Sequence, residues 1–187
     1  SLLPRHRGPS PIAAAILAGD PETGVSIQSI ALEVDAGDIH AQRRVKLSGD
    51  ETTGSLTPVL AAIGADLLLG VLADIEAGTA KALPQSGEVS HCRLLGKADG
   101  IVDWSESAAL VERKVRAFDP WPRTSTTWEG RPLGILHTRL PAGTVEPATV
   151  APPGTVLGPS REGLLVQAGD APLAVTRLQP AFGRPME

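Results

Sequence analysis

The chain changes character at Asp119-Pro120-Trp121-Pro122. Before that point apolar residues recur at the three- and four-residue spacing of helices; after it no such period survives. A proline ring fixes φ and removes an N–H donor, so two prolines around a tryptophan stop a helix and start another kind of structure. The sequence therefore predicts two domains, residues 1–120 and 121–187. The first mixes helices and strands. In the second, short apolar stretches (133–140, 154–157, 163–167, 173–178) alternate with Gly/Pro turns, as in a small β-barrel or sandwich. Residues 141–160 hold five Pro and three Gly and read mostly as loop.

Within residues 1–120, Pro9 to Gly19 reads as a short helix, with Ser10 as N-cap, Pro11 in the first turn and Gly19 as the stop. Gly24 to Ile30 alternates with period two and predicts a strand; Ile39 to Leu47 predicts a returning one. The clearest helix follows, with Leu56, Val59, Leu60, Ile63, Leu67, Leu68, Val71, Leu72 and Ile75 in helical register. Thr52 or Thr53 caps it and Gly78 lies just past its end, so it reads as a major packing element. Residues 81–100 are polar and irregular, and a second helix is expected from about Ser105 to Phe118.

Charge and composition exclude several classes. A formal charge of −4 argues against a protein that grips nucleic acid over its whole surface. That charge is uneven: residues 1–120 carry 11 basic and 16 acidic groups, residues 121–187 carry 6 and 5. Five aromatic residues without a tyrosine leave little for a base-stacking platform. No apolar run approaches the roughly 18 residues of a membrane span. One cysteine, Cys92, excludes a disulfide framework. The four histidines are scattered, and His91 beside Cys92 lacks zinc-ligand spacing, so no metal is expected. Nothing spaced from Cys92 identifies a partner for a nucleophile, and no Gly-rich phosphate loop is present.

Two segments carry possible chemistry. Asp35-Ala36-Gly37-Asp38, between two strands, either projects a catalytic carboxylate from a sheet end or is an ordinary hairpin turn. Ser1 to Gly8, with Arg5, His6 and Arg7, either approaches an anionic or planar ligand or is a solvated basic loop.

Taken in order, six segments resemble the 10-formyltetrahydrofolate-dependent formyltransferases. They are Ser1-Leu2-Leu3-Pro4-Arg5-His6-Arg7-Gly8 with Pro11-Ile12, then residues 19–27 (GDPETGVSI), then Asp35-Ala36-Gly37-Asp38-Ile39. Residues 99–105 (DGIVDWS), 116–122 (RAFDPWP) and the ending Leu178-Gln179-Pro180 with Gly183-Arg184-Pro185-Met186 complete the set. The resemblance implies an α/β chain: the C-terminal part of a Rossmann-like formyltransferase domain, followed by a small OB-like β-barrel. It implies that Ser1, Leu2, Leu3 and Pro4 lie against the folate, and that Asp35 is the third member of an Asn/His/Asp catalytic set. The Asn and His of that set precede the SLLP segment in an N-x-H arrangement, so His6 is not the catalytic histidine.

The resemblance further implies formyl transfer from 10-formyltetrahydrofolate, the co-substrate, to the amino group of methionyl-initiator tRNA, in the cytoplasm and without a metal or a membrane. Arg5, Arg7, Arg123, Arg131 and Arg139 are the expected tRNA contacts. The chain reads as part of a longer polypeptide, inactive alone, with apolar surface expected on the Pro9–Gly19 helix and the Gly24–Ile30 strand. A formyl-folate hydrolase, a sugar formyltransferase and a non-catalytic OB-type module are the alternatives. Arg123 stands where the family commonly has Gly, and His91-Cys92-Arg93 departs from its usual pattern.

Overall fold

A computed structural model describes residues 1–142, 151–181 and 183–186. The expected loop over 141–160 lies in part outside the described residues. The chain divides into two compact units, 1–95 and 96–187.

Unit one begins with the loop of residues 1–8. Helix α1, Pro11–Ala18, follows, and Gly19 closes it in the left-handed conformation. There the N–H groups of Gly19 and Asp20 return to Ile16 and Ala15, which satisfies the last carbonyls of the helix. Strands β1, Glu22–Gln28, and β2, Ile39–Lys46, pair antiparallel as a hairpin. Helix α2, Thr53–Glu76, then packs across both strands and against α1. Thr52 and Ser55 cap it reciprocally, each hydroxyl accepting the other's N–H at 3.1 and 3.0 Å.

The helices and strands fall where hydrophobic periodicity places them, but the burial differs. Helix α1 buries Ala13, Ala15 and Ile16, and β1 buries Thr23 and Gly24, so of the two segments expected to expose apolar surface only the end of the Gly24–Ile30 stretch, Ile30, is fully exposed. That surface lies on α2, which buries Leu56, Leu60 and Val71 while Val59, Leu69, Leu72 and Ile75 face outward. It also lies on the loop after β1, where Ile30 and Leu32 are fully exposed. By length and composition alone α2 could cross a bilayer, with a mean hydropathy of 2.0 in its best window. The search for an unbroken apolar run misses this, because Asp66 and Asp74 interrupt residues that a window average joins.

Unit two holds a one-turn 3-10 helix, Lys97–Gly100, and helix α3, Ala108–Ala117. Strands β3 (Thr124–Trp128), β4 (Arg131–Arg139), β5 (Val156–Ser160), β6 (Gly163–Gln167) and β7 (Pro172–Pro180) follow. They form one antiparallel sheet in the order β3-β4-β7-β6-β5. Among the described residues this sheet remains open, with β3 and β5 at its edges, and does not close into the expected barrel.

Helix α3 explains why the compact units part near residue 95 and not at 120. Its apolar stripe, Val111 and Val115, packs with Ile135, Val166, Leu173 and Val175 of the sheet. Asp170 accepts the Ala108 N–H at 2.7 Å and so ties the first turn of α3 to the β6–β7 connection. Periodicity identifies the buried stripe of a helix but not the sheet that buries it. The composition break at Pro120 marks the end of α3's helical stretch instead. Just beyond it Arg123 adopts the left-handed conformation, φ 67°, where a glycine would be unstrained.

Candidate functional site

Loop 1–8 is held on two sides. Ser26 on β1 donates its hydroxyl to the Ser1 carbonyl at 2.8 Å and accepts the Leu3 N–H at 3.2 Å. Gln42 on β2 donates to the Leu3 carbonyl at 2.9 Å and to Ser26 Oγ at 2.8 Å. These bonds spend one strand residue from each side of the hairpin on fixing Ser1, Leu2 and Leu3. Leu3 and Pro4 are buried. Gly24 lets this happen: a Cβ there would stand 2.1 Å from the Arg43 carbonyl and 2.6 Å from a Leu2 methyl.

On its other side the loop is braced by residues 90–92. Ser90 accepts the His6 N–H on its hydroxyl at 2.9 Å and the Arg7 N–H on its carbonyl at 2.9 Å. The Cys92 N–H donates to the Arg7 carbonyl at 2.8 Å, and the Cys92 sulfur accepts the Ser10 N–H at 3.3 Å. His91 and Cys92 thereby have a structural account as a short strand-like brace paired with Arg7. A Cβ on Gly8 would stand 2.4 Å from the Cys92 carbonyl, so the loop passes the brace only with glycine there.

The acid turn lies against the same loop. Asp35 Oδ2 accepts the Gly8 N–H at 2.8 Å, and Oδ1 accepts from Gln28 Nε2 at 2.9 Å. Asp35 itself takes the left-handed conformation, φ 55°. Gly37 serves closeness of approach: its Cβ would lie 1.8 Å from the Ser29 carbonyl.

The structure therefore brings Asp35 together with the 1–8 loop. Beside that loop a cleft of about 190 Å³ is lined by Leu2, Leu3, Pro4, His6 and Gln42 among others. Arg5 is paired outward with Asp20 at 2.7 Å, and His6 Nε2 meets the other oxygen of the same carboxylate at 2.7 Å. Arg7 turns inward and gives two hydrogen bonds to Gln85, at 2.7 and 3.2 Å. In unit two Arg123, Arg131 and Arg139 are exposed. A concavity of about 840 Å³ on that unit's sheet is lined by Trp104, Trp128 and Arg131 but by no acid or histidine. No cluster of His, Cys, Asp and Glu able to hold a metal occurs among the described residues.

Gln28 and Gln85 escape sequence reading. Each lies far from the groups it joins, and a glutamine in a strand or an irregular segment carries no motif. The nearest sequence signal is that Gln28 immediately precedes the loop leading to Asp35.

A chain with these loops, these glycines and this order of elements belongs to the formyl transferase family: the family's C-terminal domain model matches residues 94–187, and its formyl transferase model matches residues 1–72. Among curated relatives, methionyl-tRNA formyltransferase of Roseiflexus castenholzii is 49% identical over the whole of this chain and 58% of its own length. That of Treponema pallidum is 46% identical with the same coverage. The chain thus spans well under two thirds of those relatives. Among solved structures, HypX from Aquifex aeolicus in complex with tetrahydrofolic acid shares the fold, with a TM-score of 0.67 at 24% identity, over 97% of this chain and 32% of that one.

Proposed function

We propose that this chain supplies the folate loop and the acid turn of an enzyme that transfers a formyl group from 10-formyltetrahydrofolate to the amino group of methionyl-initiator tRNA, the step that prepares translation initiation. One observation carries the reading most: Asp35 accepts the Gly8 N–H of the Ser1–Gly8 loop at 2.8 Å. The family's Asn and His precede the SLLP segment at the start of that same loop. The curated relatives named methionyl-tRNA formyltransferase support this acceptor over an amino sugar.

Each group has a chemical role. As the amine attacks the formyl carbon, negative charge grows on the formyl oxygen, where an amide donor and an imidazolium stabilise it. The Asp35 carboxylate keeps that imidazole oriented and charged, and helps carry the amine proton away through water. Leu2, Leu3 and Pro4 offer the folate an apolar strip in a cleft whose other walls carry Arg5, Asp20, Glu22, Arg44 and Glu88, and Ser1 stands at the start of the same loop. The cleft there holds about 190 Å³, less than the roughly 300 Å³ at the lower end of ligand pockets. That volume is too small for a whole folate. No metal enters this scheme.

The open five-stranded sheet of unit two is read as an OB-type module that contacts the tRNA through Arg123, Arg131 and Arg139. Arg5 and Arg7 are weaker candidates, because Asp20 and Gln85 already hold them. The domains keep their family sense, a catalytic portion followed by a tRNA-contacting module. The setting is the cytoplasm.

The test is to join the N-terminal segment of the Roseiflexus castenholzii relative to residue 1 and assay three fates of the formyl group. Formylated methionyl-tRNA is the expected product, and the 187-residue chain alone is expected to form none. Free formate as the main product would favour a hydrolase, and a formylated amino-sugar nucleotide would favour a sugar enzyme.

A further inference from the structure

Gln85 lies in residues 73–93, the stretch that neither family model covers, yet it touches both halves of the site. Its Oε1 accepts two hydrogen bonds from Arg7, from Nε at 3.2 Å and from the terminal nitrogen at 2.7 Å. Its Nε2 donates to the Asp35 carbonyl at 2.8 Å and to the Gly37 carbonyl at 2.8 Å. One amide thus spans from the folate loop to both carbonyls of the D-x-G turn. Its orientation is dictated by its partners: a guanidinium only donates and a carbonyl only accepts, so the reversed amide would oppose like groups on both sides.

Gln28 completes the arrangement from β1. Its Nε2 donates to Asp35 Oδ1 at 2.9 Å and its Oε1 accepts the Gly37 N–H at 3.2 Å. The two glutamines touch each other, Gln85 Nε2 to Gln28 Oε1 at 3.4 Å. Asp35 needs such support because a non-glycine residue in the left-handed region costs about 1–3 kcal/mol unless its surroundings hold it there. Gly37 is buried and Arg7, Gln28, Asp35 and Gln85 are half-buried, where a hydrogen bond is less diluted by water than at the surface.

We propose that Gln85 is a positioning residue for formyl transfer: it locks the backbone of Asp35 and Gly37 to Arg7 of the folate loop, so that the Asp35 carboxylate is held at a fixed distance from bound folate. The assignment rests on the reading of Asp35 given above. It differs from a purely structural role in one respect. Anchoring of the loop needs only the oxygen of Gln85, which meets Arg7, whereas positioning of Asp35 needs the nitrogen, which meets the turn.

Gln85→Glu separates the two. It keeps an acceptor for Arg7, and adds charge to it, but sets an oxygen against two carbonyls. Gln85→Leu removes both arms. In the enzyme completed at its N-terminus, both variants are expected to lower kcat about 10–100-fold, as about 1 Å of misplacement does. KM for the formyl-folate should stay within about twofold, because the group acts on the transition state. Gln85→Glu, which keeps the pairing with Arg7, should lower the thermal midpoint less than Gln85→Leu does. In the 187-residue chain the Gly37 N–H should exchange with solvent about 10-fold faster in both variants, while amides of α3 stay unchanged. A Gln85→Glu enzyme with wild-type kcat would overturn the assignment, and so would an unchanged Gly37 exchange rate. If the completed wild-type enzyme transfers no formyl group at all, the functional reading falls, and the exchange rate decides the Gln85 clamp on its own.

Discussion

The Gly8 N–H donates to Asp35 Oδ2 across 2.8 Å, joining two segments 27 residues apart in the chain. A carboxylate that accepts a backbone N–H in this way is fixed by the loop it serves, and the loop in turn cannot move without it. The site is therefore a single unit made of the 1–8 loop, the D-x-G turn and the 85–92 segment, resting on the β1–β2 hairpin.

Gly37→Ala tests the close approach that this unit requires. The added methyl would meet the Ser29 carbonyl at 1.8 Å, a backbone atom that cannot step aside. The expected result is a loss of several kcal/mol of stability, or failure to fold, read from the urea midpoint. Gly70→Ala in α2 is the counterpart, since nothing lies within 4 Å of its Cβ position. It should stabilise by about 0.5–1 kcal/mol through helix propensity.

The contrast shows how much was legible beforehand. Spacing and turn chemistry placed α1, β1, β2, α2 and α3, because each has an internal period or a cap. Strand β3 was not visible: Thr124 to Trp128 (TSTTW) has almost no apolar alternation, and it holds its place through Thr124, buried and donating to the Ile135 carbonyl at 2.6 Å. The Ser1–Pro4 segment and Asp35 were legible only through the six family segments in order. Gln28 and Gln85 were not legible at all, because a contact between residues 57 positions apart leaves no local trace.

A second prediction concerns acid. Glu51 accepts the Ser48 N–H at 2.7 Å, the Ser48 hydroxyl at 2.8 Å and the Gly49 N–H at 3.0 Å, just ahead of α2. Burial pushes its pKa up, but these hydrogen bonds outweigh burial and hold it at about 2, against an ordinary 4.5. A depressed folded-state pKa contributes stability above the unfolded value, and that contribution disappears as pH falls. The wild type should thus lose its advantage over Glu51→Gln as pH drops from about 4.5 toward about 2. The carboxylate is only partly covered and water screens it, so the difference stays below about 1 kcal/mol. Parallel pH curves for the two proteins would contradict it.

A third concerns the tRNA face. Arg131 and Arg139 stand at the two ends of β4, roughly 27 Å apart at about 3.4 Å per residue, with a register shift between them near His137. They cannot form one patch, and at physiological salt they are screened from each other beyond about 8 Å. If both contact tRNA, Arg131→Glu and Arg139→Glu should weaken binding independently. Each lost contact should reduce the slope of log affinity against log salt by about 0.9 on duplex nucleic acid. Unchanged tRNA affinity in the double variant would remove this sheet from the tRNA interface.

The most direct measurement is the formyl-transfer rate of Asp35→Asn in the N-terminally completed enzyme. Asparagine keeps the shape of the side chain and can still meet Gly8 through its oxygen, but it removes the charge that holds the neighbouring imidazole. Loss of a positioned acid–base partner typically costs about 10²–10⁴ in rate, and here the loss should fall on kcat with KM little changed. Asp38→Asn, exposed at the far side of the same turn, should cost far less. A kcat for Asp35→Asn equal to that of the wild type would show that the turn only shapes the hairpin, and would contradict the site described here.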